Sequence, residues 1–445
     1  MEKLPKDQTF YDYFPGSHVS TYLEAFSKHK LFSGKTLADR IIFNSHIKHV
    51  TKAGNTWTIS TEPSTSFTCE KLIIATGLTS TPNLSSFPTT SFTPPLIHTT
   101  PLAANVPLLN SQSINNVAVL DGSKSAFDAV QILYSMKKSV TWIIRTSGQG
   151  PAFLATPNAP WPLKNSHEII SIRLLVDSIF KVIDLMWKCV AMFDRDENIN
   201  KLELGRPLYW SSDGLAVYNA EGMWDSAVKA TILRNEVEWA EGNELVLESG
   251  KRVNCDAVVA VTGWSNTYPM FDDELAMGLG LPMLPEKAQE GGKEAEEWET
   301  PLKKADAKVV ETSPRLANLP KHQDRKPKST PSRLYRAMLP ITGDIDRSIA
   351  FVGAVGSAQS LNIAEIQALW VAAYLSKKPE LPTEKKMRQE VALSTAWIRR
   401  YLGDGYNFIL EHLQYMSMLM QDLGLNDMRK GGGWKEMFVP YTSAD

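Results

Sequence analysis

The chain has 445 residues, room for about three domains of roughly 150 residues each. It is 43% hydrophobic and 22% charged, the composition of a globular chain with a large core. Lysine and arginine total 47 against 49 aspartates and glutamates, a formal charge of -2. That balance excludes a nucleic-acid protein held by a basic face and an acidic solvating chain.

The first 16 residues are charged and aromatic and lack the apolar core of a signal peptide. Ser17 to Lys30 predicts a helix, and Arg40 to Asn44 and Ile47 to Val50 predict short strands. Thr56 to Ser60 alternates with period two. Lys71 to Ala75 is a short apolar run ending at Thr76-Gly77, the pattern of a buried strand entering a loop. A proline-rich connection runs from Pro82 to Pro107.

From Asn116 the pattern changes. Val117 to Leu120 reads as a buried strand, Asp121 to Ser125 as a turn, Ala126 to Lys137 as a helix and Ser139 to Ile144 as a strand. Together they form a βαβ unit, which builds parallel sheets. Residues 151–235 are expected to be mostly helical. Within them, Ile169 to Met192 carries Arg173, Asp177, Lys181, Asp184 and Lys188 on one helical stripe. That reads as a helix with a wet face, because a membrane span needs ~20 apolar residues. Trp161, Trp187, Trp210 and Trp224 could line a pocket, but most of them read better as core or hinge packing.

Glu244 to Glu248, Gly250 and Arg252-Val253 predict a small antiparallel hairpin. Asp256 to Val261 is a second buried strand and ends in Thr262-Gly263. The heavily charged residues 286–328 predict an exposed helix over Lys287 to Val310, then a loop after Pro314. Ser348 to Val352 is a third strand, ending at Gly353. Asn362 to Tyr374 is an apolar helix, and amphipathic helices follow from Pro382.

The three cysteines, Cys69, Cys189 and Cys255, form no disulfide framework, CxxC or zinc cluster, which points to a reducing, cytoplasmic setting. His46 and His49 fall on opposite sides of a strand, so no metal site is expected.

Three strand-to-glycine junctions, KLIIATG, AVVAVTG and IAFVG, stand out. Glycine at the carboxyl end of a parallel strand lets backbone approach a ligand closely. The turn after Leu120 is the candidate phosphate site, since a helix start offers unpaired N–H groups and positive potential. Asp121, Ser123 and Ala126 occupy the three glycine positions of GxGxxG, and no complete copy exists among the 26 glycines. Gly122, Ser123, Lys124 and Ser125 remain as binding groups. Arg145, just past the next strand, suits a ribose 2′-phosphate and so favours NADPH over NADH. Asp121 would repel a pyrophosphate.

These residues resemble the flavin-containing monooxygenases and their Baeyer–Villiger relatives. Lys71 to Pro88 looks like the family's ATG-and-proline linker. Phe92 to His98 is similar to FxGxxxH, with Pro94 at the glycine. Val117 to Val130 resembles the NADPH-binding strand-turn-helix of fungal members. Asp256 to Trp264 resembles the second linker, and Ser348 to Leu375 the last strand and helix of the flavin domain. The departures are Pro94, Asp121, Leu102 in place of an aromatic residue, and the absence of the GxGxxG unit that holds the FAD pyrophosphate in the family.

The resemblance implies an α/β flavoprotein fold with two dinucleotide-binding domains. Residues 1–113 would be a remnant of the N-terminal part of the FAD domain, 114–265 an inserted NADPH domain, and 266–445 the C-terminal part of the FAD domain. It implies FAD and NADPH as cofactors and a small organic substrate, with O2 if the reaction is a monooxygenation and not a dehydrogenation, often in fungal secondary metabolism. Gly122, Ser123, Lys124, Ser125 and Arg145 would hold NADPH. Thr76, Gly77, Thr262 and Gly263 would lie near the flavin or the linkers. No acid/base triad is expected, because the cofactor carries the chemistry. Oligomeric state is left open. The alternative is a pseudoenzyme, or a nucleotide- or partner-binding module.

Overall fold

The computed structural model describes residues 9, 13–62, 64–83, 87–148, 150–155, 215–217, 221–287, 293–320, 329–341, 347–357, 359–403 and 411–441, with scattered positions between 159 and 210. A helix at Gly16–Ser27 opens the chain and buries none of its residues. The strands β1 (His46–Ala53), β2 (Thr56–Glu62) and β3 (Thr65–Cys69) then form an antiparallel meander. Residues 41–44, expected as a strand, are irregular. Ile41, Ile42 and Phe43 are exposed there, so no partner strand rewards an extended pairing.

Next come β4 (Leu72–Ile74), β5 (Thr81–Pro82), β6 (Thr89–Thr90) and β7 (Leu96–His98). The expected βαβ unit is present as β8 (Asn116–Leu120), the helix Lys124–Ser135 and β9 (Ser139–Ile144). β10 (Phe153–Ala155) pairs in parallel with β11 (Leu215–Val217). The helix expected at 169–192 lies outside the described residues save Ile172. After β12 (Thr231–Arg234), β13 (Val237–Glu241), β14 (Glu244–Leu247) and β15 (Arg252–Asn254) follow, with β14 and β15 forming the expected hairpin. β16 (Ala257–Ala260), β17 (Trp264–Ser265) and β18 (Ile349–Phe351) complete the strands described.

The central sheet is parallel in the order β12-β9-β8-β16-β7. Its strands alternate with period two, so successive residues serve different cores. Val117 and Val119 pack with Phe127, Val130, Leu133 and Trp142, under the helix Lys124–Ser135. The Phe127 and Trp142 rings meet edge to face at 4.7 Å. Ala118 and Leu120 pack with Leu245, Leu247 and Val253 of the sheet β15-β14-β13-β6. Asp256 fixes the register at the other end of β8: its carboxylate accepts the Asn115 and Asn116 N–H groups, each at 2.8 Å.

A second parallel pair joins β4 to β18, Leu72 opposite Ile349. Beneath it Val50, Trp57, Ile74, Phe271 and Phe351 form a core. The buried Trp57 indole N–H donates to Ser348 Oγ at 3.0 Å across 291 residues of sequence. The charged segment forms a helix at Lys293–Thr312, shifted from the expected bounds. It is not fully exposed: Trp298, Ala305 and Val309 join a core with Met387, Val391 and Ile398 of the helix Glu384–Tyr401. Asp306 and Arg400 tie the two helices with a bidentate pair, both contacts 2.5 Å. Trp210 packs against this core and Trp224 against the core of the central sheet. Cys69 and Cys255 are free thiols, and no described helix is long and apolar enough to cross a membrane.

Candidate functional site

β8 is buried from Val117 to Leu120 and delivers the chain to Asp121 at the carboxyl edge of the sheet. Asp121 is left-handed, with φ +82°, a conformation open mainly to glycine, asparagine and aspartate. Its N–H donates to Ile143 O at 2.9 Å and its carbonyl accepts the Trp142 indole N–H at 2.7 Å. Its carboxylate accepts the Gly122 N–H at 2.8 Å and Arg145 Nη2 at 2.5 Å. The acid expected to repel a pyrophosphate is therefore neutralised by the arginine expected to read a 2′-phosphate. Arg145 keeps one unmet donor, because its buried Nε has no partner.

Gly122 is buried by the chain itself. A Cβ there would lie 2.8 Å from Gly150 Cα and 2.9 Å from Ile144 Cγ2. Ala152 N–H donates to Gly122 O at 2.6 Å, locking the returning loop onto the turn. The helix starts at Lys124, and Ser123 makes no side-chain cap. Ala126 N–H donates to Ser123 O at 2.9 Å, while the N–H groups of Ser123, Lys124 and Ser125 precede any intrahelical acceptor, and the exposed Ser123 hydroxyl stands beside them. Lys124 Nζ is bound to Asp128 at 2.6 and 2.8 Å. The expected group Gly122, Ser123, Lys124, Ser125 and Arg145 is thus brought together, with both of its cations paired internally. The bare first turn and the unpartnered Arg145 Nε fit an anionic phosphate.

The strand-end glycines form a second group. Gly77, Gly263 and Gly353 have φ of +67°, +78° and +74°, the region where glycine carries no steric cost. A Cβ on Gly77 would meet nothing within 4 Å, and one on Gly353 would meet only Gly77 Cα at 3.8 Å. β4 and β18 therefore end in adjoining bare backbone, which fits the close approach of a flat ring. Thr76 is exposed beside it.

Thr262 and Gly263 sit elsewhere, past β16, and are wired to the first linker. Thr262 Oγ1 donates to Asn83 O, and Asn83 N–H donates to Gly263 O at 2.9 Å. β5 and β17 run antiparallel beside them. Buried His98 joins the clasp, donating from Nε2 to Gly263 O at 2.9 Å. A carbonyl only accepts, so Nε2 carries the proton. Nδ1 then accepts from Thr100 N–H at 3.2 Å and from its hydroxyl at 3.0 Å. The Trp264 indole N–H donates to that hydroxyl at 3.0 Å. No local spacing links segments as far apart as those of Asn83, Thr100 and Trp264, so the sequence alone assigns these three no place in the site.

A cavity of about 200 Å³ opens beside the two bare glycines. Its walls include Leu78 and Ala354, each the residue after a strand-end glycine, with Tyr268, Pro282, Ala337 and Ile398. Burial pushes the Tyr268 hydroxyl up to about 12, so it remains a neutral donor at physiological pH. Among the described residues no three His, Cys, Asp or Glu side chains gather as metal ligands.

Residues 16–175 match the pyridine nucleotide-disulphide oxidoreductase family. An FAD-dependent monooxygenase of Pyrenophora dematioidea is 32% identical over 422 residues, 84% of this chain and 76% of that protein. The FAD-dependent monooxygenase resA of Aspergillus sclerotiorum is 30% identical, covering 97% of this chain and 83% of its own length. The crystal structure of cyclohexanone monooxygenase from Rhodococcus sp. Phi1, bound to NADP+, superimposes with a TM-score of 0.55 at 14% identity, over 93% of this chain and 83% of that one. The fold is the α/β flavoprotein fold with two dinucleotide-binding domains.

Proposed function

We propose the function from one premise: this chain belongs to the family of FAD-dependent monooxygenases. It is an oxidoreductase that uses NADPH, FAD and O2 to oxidise a small organic molecule, in fungal secondary metabolism and in the cytoplasm. The domain division 1–113, 114–265 and 266–445 goes with this reading, although β7, before residue 114, pairs within the central sheet. When bound, FAD supplies the redox chemistry between NADPH and oxygen.

The chain's own residues bind, orient and exclude water. The N–H groups of Ser123, Lys124 and Ser125 at the helix start hold a phosphate of the dinucleotide. Arg145 takes the 2′-phosphate, in competition with Asp121. Gly122 lets the Gly150 loop close against the turn. Thr76-Gly77 and Gly353 leave bare backbone for the flavin. Thr262, Gly263, Asn83 and His98 keep the two linkers in register. Leu78, Pro282, Ala337, Ala354 and Ile398 wall off water from the pocket. No side chain is assigned as a catalytic acid or base.

The observation that carries this reading is the meeting of Gly77 and Gly353, two left-handed glycines ending parallel strands against an apolar cavity. The non-enzymatic alternative is not favoured, because relatives named as monooxygenases align along nearly the whole chain. Purified chain incubated with FAD should retain flavin absorbance near about 450 nm after desalting. NADPH should bleach it without air, and labelled O2 should enter the product. A chain that stays colourless after FAD incubation overturns the proposal.

A further inference from the structure

The cavity beside Gly77 and Gly353 has an asymmetric lining. Its floor and walls are largely apolar, from Leu78, Pro282, Ala337, Ala354 and Ile398. Among the described residues that line it, one carries a formal charge, Arg399. Arg399 lies one residue after Ile398 and one helical turn after Thr395, and all three face the cavity. It both lines the cavity and is exposed, which puts the residue at the mouth.

The acid that feels the Arg399 charge is already committed. Asp306 is held by the neighbouring Arg400 through two contacts of 2.5 Å, and Arg400 also donates to Leu316 O at 2.7 Å. Arg400 engages that carboxylate directly, whereas Arg399 adds only a weaker, longer-range attraction to it and makes no ion pair of its own among the described residues. With no ion pair formed, the Arg399 guanidinium can meet an anion that enters the cavity. An apolar pocket with a few placed polar groups fixes a ligand's orientation through those groups.

We infer that the substrate is a largely apolar organic acid, its anionic head on Arg399 at the mouth and its apolar body between Leu78, Pro282, Ala354 and Ile398. Tyr268 and Asn266 line the same space as neutral hydrogen-bonding groups. They can meet an oxygen on the body without adding charge. This assignment rests on the function proposed above, which places the flavin against the same two glycines. Arg399 acts here as a specificity-determining residue and holds no role in the redox step.

The probes are octanoate, octan-1-ol and octyltrimethylammonium, titrated calorimetrically into the full chain. Octanoate should bind more tightly than octan-1-ol, and the cation should bind least. Arg399→Gln should weaken octanoate about fivefold, the range of an exposed ion pair, and leave octan-1-ol unchanged. Arg399→Lys should recover part of the loss. Salt should weaken octanoate alone. Ala354→Phe, which fills the cavity, should weaken both octanoate and the alcohol. Equal binding of acid and alcohol, an equal loss of both in Arg399→Gln, or octanoate binding untouched by Ala354→Phe would each overturn the inference. Flavin retention, read by absorbance, keeps the two proposals apart. A yellow protein indifferent to octanoate refutes only the substrate class, whereas a colourless one that binds octanoate refutes the redox function.

Discussion

Asp121 and Arg145 occupy the ends of neighbouring parallel strands, with Oδ2 and Nη2 2.5 Å apart. The aspartate side chain is 13% exposed and the arginine 39%, so water screens this pair only in part. The arginine is thereby a reader with its own competitor built in. A dinucleotide that brings a 2′-phosphate must draw the guanidinium away from Asp121 or share it.

Asp121→Gly removes the competitor and suits the left-handed backbone at the same position. The dissociation constant for 2′,5′-ADP should fall by about tenfold, the scale of a hydrogen bond to a charged group, while that for AMP holds steady in calorimetry. Arg145→Ala should raise KM for NADPH with little change for NADH. If both nucleotides respond alike to either substitution, Arg145 does not read the 2′ position.

Gly122→Ala tests the closed turn. The new methyl would stand 2.8 Å from the Gly150 backbone, with no flexible side chain there to yield. Overpacking of this kind costs about 1–3 kcal/mol. Urea unfolding should show that loss, whereas a stability equal to the parent chain would mean that the Gly150 loop does not rest on the turn.

The clasp between linkers makes a third prediction. Thr262→Val removes the hydroxyl that donates to Asn83 O, and Asn83→Ala removes the side-chain amide that donates to Thr262 O at 3.4 Å, two contacts of one network. Their stability losses should fall short of additivity by about 0.5 kcal/mol or more in a double-mutant cycle. Strict additivity would show that the linkers are not coupled through this contact.

Asp256 sets an acid limb on stability. The N–H groups of Asn116 and Asn115 hold its carboxyl below the usual carboxylate range. A group with a depressed folded pKa stabilises the fold above its unfolded value, and that gain fades as pH falls through the folded one. Asp256→Asn should lower Tm at pH 7, with the gap to the parent closing below about pH 4. A gap that is constant from pH 7 to pH 3 would refute the assignment.

The central sheet was legible because β8, β9 and β16 are short apolar runs with turn residues at their ends. The three glycine junctions were legible too, since Thr-Gly after a strand marks a backbone break. What joins those pieces was not. Asp121 looked like a pure liability, because nothing local shows that Arg145 swings back onto it. Gly122 resembled a ligand-facing glycine, and only the fold reveals the Gly150 backbone above it. Residues 41–44 carry strand-forming side chains, yet the fold offers them no edge to pair with. The cavity draws its lining from widely separated segments, from Leu78 to Gly403, so no spacing rule could have assembled it.

The bond from Trp57 to Ser348 spans 291 residues, and this long reach sets the order in which the molecule can be built. Contacts so distant must wait for most of the chain, since closing a long loop is paid before the contact rewards it. The five-stranded sheet draws all its strands from residues 96 to 260, so it can form on a ribosome still translating the C-terminal helices. Pulse-labelled hydrogen exchange during refolding should accordingly protect β8 and β16 before β4. The nascent chain would own a finished nucleotide-binding lobe while the strands that end at Gly77 and Gly353 were still strangers to each other.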